Sequence, residues 1–168
     1  NDNTVTGNTC NNNNSYGIYL FSSSNNNTIT GNTCNNNNSC GIHLYLSSNN
    51  NAVTGNTCNN NNSYGIRLFS SSNNNTITGN TCNNNNSYGI HLSSSSNNTV
   101  TGNTCIRGTG QPSDYTSSQY TIHLSGSGNS YNLISSNNCM GKAVVISGGT
   151  GNTVFNNKWN ESSDFEDL

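Results

Sequence analysis

The feature that most limits what this chain can fold into is a repeat. Cys10, Cys34, Cys58 and Cys82 stand 24 residues apart, and Cys105 follows 23 after Cys82. Residues 73–92, NNNTITGNTCNNNNSYGIHL, give the unit in its plainest form, and the upstream copies are almost verbatim. A fixed period of this length marks a solenoid, in which each repeat buries its apolar face against its neighbours.

Aligning the repeats on the cysteine produces columns. Val5, Ile29, Val53, Ile77, Val100, Ile134 and Val154 share one position. Ile18, Ile42, Ile66, Ile90, Ile122 and Val144 share a second, and Leu20, Leu44, Leu68, Leu92, Leu124 and Ile146 a third. Ile29 lies between Thr28 and Thr30, and Ile42 and Leu44 flank His43, which is the period-two alternation of a strand with one buried face. No segment spaces its apolar residues by three and four, and the Asn, Ser and Gly runs between them are turn formers. The chain is therefore all-β: a single-stranded parallel β-helix of about seven coils, each with two or three short strands, stacked ~4.8 Å apart. With 28% hydrophobic and 6% charged residues the composition alone would read as disordered. The columns reverse that reading, because a stacked narrow core needs few apolar residues per turn.

Asparagine fills two more columns: Asn3, Asn27, Asn51, Asn75, Asn98, Asn132 and Asn152, and Asn8, Asn32, Asn56, Asn80, Asn103, Asn137 and Asn157. An amide both donates and accepts, so stacked Asn side chains bond to the copies above and below; Asn32, Asn56, Asn80 and Asn103 are assigned to such a ladder. The whole is read as a single domain: regular repeats over 1–105, an inserted loop over 106–119, degenerate coils over 120–159 and a capping tail over 160–168. The insertion contains Pro112, the chain's one proline, and reads as a surface loop. Trp159 takes the cysteine position of the last half coil, and Phe165 and Leu168 are placed to fold under it.

The repeats NNTITGNTC and NSYGIYL resemble the parallel β-helix repeats of the NosD-like family, also described as carbohydrate-binding and sugar-hydrolase modules. Similar Asn-rich arrays are frequent in cell-surface proteins of methanogenic archaea. The resemblance covers residues 1 to about 159 and implies a right-handed β-helix. It implies no single function, since the family includes pectin-acting enzymes, adhesins and a copper-site maturation factor.

The net charge is −2, with Arg67, Arg107, Lys142 and Lys158 the only basic residues, far from the clustered basic surface that nucleic acid requires. No apolar run approaches the ~20 residues of a membrane span. The chain opens in frame with a repeat and without a signal segment, which reads as a processed mature chain or a piece of a longer one. Its acids are Asp2, Asp114, Glu161, Asp164, Glu166 and Asp167, so coils two to four hold no carboxylate. Polysaccharide-cleaving enzymes of this fold use carboxylate clusters, and on that ground the chain is expected not to be an enzyme and to need no cofactor.

The column Cys10, Cys34, Cys58, Cys82, Cys105 and Cys139 is expected to pack inward as free thiols, with no CxxC pair for a metal. Cys40 stands outside it, where other coils carry Tyr16, Tyr64, Tyr88 and Tyr120. It reads as a drifted tyrosine, with a reactive strand-edge thiol as the alternative. Two faces point outward. One carries Tyr19, His43, Arg67, His91 and His123, with Phe21, Tyr45 and Phe69 two residues on, and is a candidate surface for glycans or a protein partner. Copper or zinc at His91 and His123 is a lesser alternative, opposed by Arg67; no metal site is assigned. The other face holds Thr4, Thr6, Thr28, Thr30, Thr54, Thr76, Thr78, Thr99 and Thr101, an array like that of β-solenoid ice-binding proteins, broken by Ala52 and Leu133. Glycosylation sequons begin at Asn13, Asn26, Asn37, Asn61, Asn74, Asn85, Asn97 and Asn160. The leading expectation is an extracellular or cell-surface structural or adhesive module, self-associating through its open first coil or joined to a parent chain. Ice binding, glycan binding and copper handling are the alternatives.

Overall fold

The structure is a computed structural model and describes residues 1–159, so the cap expected of residues 160–168 lies outside the described residues. The chain winds as a parallel solenoid of six complete turns and the start of a seventh. One sheet has seven strands: β1 (Thr4–Thr6), β3 (Thr28–Thr30), β5 (Ala52–Thr54), β7 (Thr76–Thr78), β9 (Thr99–Thr101), β11 (Leu133–Ser135) and β13 (Thr153–Phe155), paired in that order. The second has six: β2 (Ile18–Phe21), β4 (Cys40–Tyr45), β6 (Tyr64–Phe69), β8 (Tyr88–Ser93), β10 (Tyr120–Ser125) and β12 (Val145–Ser147). A third side is a row of single parallel bridges, Thr9 to Thr33, Thr57, Thr81, Thr104, Asn138 and Lys158.

Register follows the sequence columns. Ile29 lies opposite Val53, Ile42 opposite Ile66, and Leu44 opposite Leu68. These side chains and Cys34, Cys58, Cys82, Cys105 and Cys139 form one continuous buried core, with Trp159 packed against its end. Ile146 departs from the expected inward column. It is 39% exposed, because β12 is the last strand of its sheet among the described residues and nothing there covers it. The 23-residue spacing is absorbed in a serine corner: Leu68 still pairs Leu92 and Thr76 still pairs Thr99. Both sheets keep register across the deletion.

Glycine in the YGI motif has a steric cause. A Cβ on Gly65 would sit 2.5 Å from the Gly89 carbonyl oxygen and 2.8 Å from Cys82 Cβ, so the coils stack this closely only without a side chain there.

The asparagine columns bond from coil to coil. Asn32 donates its backbone N–H and its amide to Asn56 Oδ1, at 2.9 and 3.0 Å, and Asn56 does the same to Asn80. Asn56 also donates to the Ile29 carbonyl across the core edge, at 2.9 Å. A third such column, unread in the sequence, runs through Asn13, Asn37, Asn61 and Asn85. Two further columns have the opposite polarity: the backbone N–H of Asn35 donates to Asn11 Oδ1, and that of Asn49 to Asn25 Oδ1. The run NNNN therefore has a division of labour. Its first residue accepts from the next coil, its second takes the left-handed turn (φ 58° at Asn12), and its third bonds upward.

A left-handed position recurs at another corner in Asn26, Asn50, Asn74 and Asn97, with φ between 56° and 59°, a conformation Asn tolerates better than other side chains. Coil six places Tyr131 there at φ 56° and 68% exposed. Tyr131→Asn is expected to raise stability by about 1 kcal/mol. Asn56→Ala, by contrast, strips the acceptor from the Asn32 donors and the donor from Ile29, buried groups worth about 1–3 kcal/mol each, and should cost about 3 kcal/mol. Exposed Asn62→Ala should change stability by less than about 0.5 kcal/mol. Denaturant unfolding of the three variants measures the order; an Asn56→Ala protein as stable as Asn62→Ala would contradict the ladder's structural role.

Candidate functional site

The second sheet brings the outward Tyr, His and Arg column together in register: Tyr19 beside His43, His43 beside Arg67, Arg67 beside His91, and His91 beside His123. The histidines, however, are not exposed. His43, His91 and His123 retain only 3, 5 and 8% of their accessible surface. The cause is lateral packing by the tyrosines that precede each Gly-Ile pair and by rings of adjacent coils. Tyr16 and Tyr45 lie 5.0 and 5.5 Å from His43, and Tyr64 and Tyr88 lie 5.1 and 4.8 Å from His91. Arg67 stacks its guanidinium over Tyr64 and Phe69, at 5.0 and 4.3 Å. Tyr45 and Phe69 stack 5.4 Å apart with planes 6° from parallel, so much of each ring face is spent on its neighbour. Tyr19 and Phe21, at the first coil, remain 42 and 49% exposed.

His91 and His123 stack 5.7 Å apart, but His91 Nε2 contacts the Ser125 hydroxyl at 2.8 Å and His123 Nε2 the Ser147 hydroxyl at 2.9 Å. Among the described residues no group of three or more His, Cys, Asp or Glu is placed to hold a metal. Both ring nitrogens of His43 are buried without a hydrogen-bond partner. Burial, reinforced by Arg67, pushes the His43 pKa down to about 4 and the His91 pKa down to about 3. The face is neutral in its histidines at pH 7.

The thiols are free in all seven cysteines, and all but Cys10 are buried. Burial raises Cys82 and Cys139 well above the ordinary thiol value. Cys40 opens β4 but is fully buried, where the reactive alternative needed it exposed; it lies in register with Tyr64, with its sulfur 3.5 Å from the Ser39 hydroxyl. Burial lifts its pKa to about 11, which removes the reactive-thiol alternative. The threonine face lies on the first sheet, Thr28 and Thr76 exposed and Thr30, Thr54, Thr78, Thr99 and Thr101 half-buried, with Ala52 interrupting it. Thr54 donates to Thr30 at 3.1 Å, so part of the array bonds to itself.

A concavity along one corner was not read from the sequence. It is a trough of about 510 Å³ along the NNNN corner, lined by Asn12–Asn14 and their counterparts at Asn36, Asn37, Asn38, Asn60, Asn61, Asn62, Asn84 and Asn86, with Arg107 at one end. Its floor is the third asparagine ladder; its sides are the left-handed and following asparagines of each coil. The insertion forms the end wall. Ile106 and Gly108 donate to Asn83 and Asn84 Oδ1, at 2.9 and 2.8 Å, and the Arg107 guanidinium donates to the Asn85 carbonyl. The insertion is tied down from the far side as well: Tyr115 donates to the Met140 carbonyl at 3.0 Å, and the Lys142 ammonium donates to the Thr116 carbonyl at 2.9 Å while lying 4.1 Å from the Tyr120 ring centre. Inside the loop, the backbone N–H groups of Gln111 and Thr109 hold the Asp114 carboxyl below its usual range. The signals available in sequence were the insertion's position directly after the cysteine of coil five and its single arginine.

A family description, "Right handed beta helix region", matches residues 1–105. Among solved structures, a double mutant of the periplasmic alginate epimerase AlgG is similar with a TM-score of 0.66 and 23% identity, over 92% of this chain and 39% of that one. The A-module of the mannuronan C-5 epimerase AlgE6 from Azotobacter vinelandii gives a TM-score of 0.61 at 15% identity, over 94% of this chain and 50% of that one. The AlgE4 A-module from the same organism gives 0.54 at 14%, over 90% and 55%. The chain thus spans about two fifths to just over half the length of these enzymes. No curated protein matches by sequence. The expectation that the chain is not an enzyme is overturned by these neighbours: the same architecture is that of alginate epimerases, and a carboxylate-poor repeat is no ground for excluding catalysis. No helix among the described residues is long and apolar enough to cross a membrane.

The buried histidines make stability depend on pH. Their folded pKa values lie below the unfolded value of about 6.5, so as pH falls through 6.5 the unfolded chain takes up protons that the folded chain refuses. Stability is therefore full above about pH 6.5 and is lost as pH falls to about 4 for His43 and about 3 for His91, with His43 alone contributing about 3 kcal/mol to the loss. Thermal unfolding between pH 7 and 4 should show a falling midpoint that is blunted in His43→Phe. An equally steep fall in that variant would place the titration elsewhere.

Proposed function

The chain belongs to the right handed beta helix family, and from that premise we propose that it is a carbohydrate-active domain whose asparagine trough holds an extended polysaccharide. The observation that carries this reading is the trough itself: a polar channel crossing four coils and closed at one end by Arg107. Its amides repeat every ~4.8 Å, about the length of one sugar residue in an extended chain. Each amide can accept from and donate to hydroxyl groups. A flexible polar surface would lose much of that hydrogen bonding to the entropy of ordering. Here the floor is already fixed by its own ladder, so a sugar chain meets a preorganised surface.

The epimerase neighbours, named for alginate and mannuronan, support a sugar polymer as the occupant, and the periplasmic location of one of them supports an exported setting. Arg107 is the one cation lining the trough among the described residues and suits a chain bearing carboxylates, whose planar oxygens match a guanidinium. The stiffness that the repeats imply for a spacer serves the same end, since it holds the trough straight.

Calorimetric titration with mannuronan oligomers and with neutral mannan oligomers of equal length tests the reading. The parent should bind the acidic oligomer, and Arg107→Ala should weaken that binding about tenfold, or about 1.4 kcal/mol, while leaving the neutral oligomer little changed. Proton NMR of the recovered oligomers reports any change at C5. A parent that binds neither oligomer would end the proposal.

A further inference from the structure

Seven of the eight sequons fall in the described residues, and the fold divides them into two groups that the sequence cannot separate. Asn37, Asn61 and Asn85 are buried, with 1, 1 and 5% of their surface accessible. Their amide nitrogens are already used: Asn37 donates to Asn61 Oδ1 at 3.1 Å, Asn61 to Asn85 Oδ1 at 3.0 Å, and Asn85 to the Cys58 carbonyl at 2.9 Å. Asn13 begins the same ladder, donating to Asn37 Oδ1 at 2.8 Å. Asn26, Asn74 and Asn97 are different. Each is exposed at the tip of a left-handed turn, and each bonds through its backbone N–H to the next coil, at 3.1, 3.1 and 2.9 Å, with its side chain projecting outside the ladders. Two residues on, Thr28 and Thr76 are exposed and Thr99 is half-buried, at the start of β3, β7 and β9. In the same row Asn50 lacks the hydroxyl, because Ala52 follows it.

We infer that Asn26, Asn74 and Asn97 form a row of N-glycosylation sites on one corner of the helix, and that the ladder sequons are barred from modification by the fold. The donor is an oligosaccharide linked to a polyprenyl pyrophosphate. Asn Nδ2 forms a bond to the anomeric carbon; the bond from that carbon to the pyrophosphate oxygen breaks, the pyrophosphate leaves with the electron pair, and the amide gives up one proton to a base of the transferase. A glycan on a ladder asparagine would replace a proton that its hydrogen bond needs and would have to pass between coils. Chains modified there cannot close the ladder. Asn26 and Asn74 are two coils apart, ~10 Å, whereas Asn74 and Asn97 are neighbours at ~4.8 Å and compete for space. The row stands on a different corner from the trough, so glycans there leave the trough open. The inference needs export but does not rest on a sugar-binding trough.

The test is to express the chain with a secretion signal in a eukaryotic cell line, release N-glycans enzymatically and map the occupied asparagines by mass spectrometry. The secreted protein should carry glycan at Asn26 and at Asn74 or Asn97, and none at Asn37, Asn61 or Asn85. Thr28→Val should empty Asn26 without disturbing its turn. Thr76→Val should empty Asn74 and raise occupancy at Asn97, a shift that independent sites would not give. Glycan on any of the three buried ladder asparagines, all three corner sites vacant, or a chain wholly retained in the cell would overturn the inference.

Discussion

The structure depends on hydrogen bonds made by corner backbone groups to asparagine side chains of the neighbouring coil. A solenoid with coils of 24 residues spends about half of each coil in turns, where the main chain bonds partly to the next coil's carbonyls and otherwise needs side-chain partners. Buried backbone N–H groups without partners cost about as much as a lost hydrogen bond each. Asparagine answers this at three corners with one amide that accepts from one coil and donates to the next, as in Asn32, Asn56 and Asn80. The apolar ladders of Ile, Leu and Cys fill a narrow core, but the asparagines fix where that core's edges lie.

The same economy decides what is left for function. Inward positions are consumed by packing and the ladder asparagines by one another. On the second sheet the tyrosines and histidines consume each other, since Tyr88 packs tilted against His91 and edge-on against His123 and helps to hide both. What the repeats leave unspent are the sides of the NNNN trough, the threonine face, and the free amides at Asn26, Asn74 and Asn97. Arg107 adds the one element that breaks the symmetry of the trough, and it owes its place to an insertion anchored on both adjoining coils.

The sequence made the coil legible because periodicity is a property of the chain itself. Ile29, Ile42 and Leu44 had to share a core once their columns were aligned, and the two asparagine columns flanking the TxT strand followed from the same alignment. The third column escaped because NNNN offers four identical letters, and nothing in them says which points inward; that is decided by the left-handed turn at the second. Burial of the histidines escaped for another reason. Alternation put His43 on the outer side correctly, but its exposure depends on Tyr16 and Tyr45 leaning over it from adjacent positions, a lateral effect that alternation does not encode. Cys40 lay in the Tyr column as the alignment required, yet a side chain that small sinks beneath its larger neighbours. The reasoning from carboxylates to the absence of catalysis failed at a different point: it transferred one chemistry of the fold to the fold as a whole.

Tyr131 bears on how such an array acquires function. Purely repeated coils are interchangeable, so a change at one coil is judged against copies of itself, and the cost of departing from them is open to view. At the corner of Asn26, Asn50, Asn74 and Asn97 the chain tolerates a large aromatic at φ 56° only by leaning its ring over Gly151, where any side chain would collide with it. Tyr131 and Gly151 therefore fit one another across adjacent coils, each standing where the regular coils carry Asn. The fit is steric and local: the ring occupies space that a side chain at Gly151 would need, so the strain at Tyr131 is accommodated only because its neighbour has none.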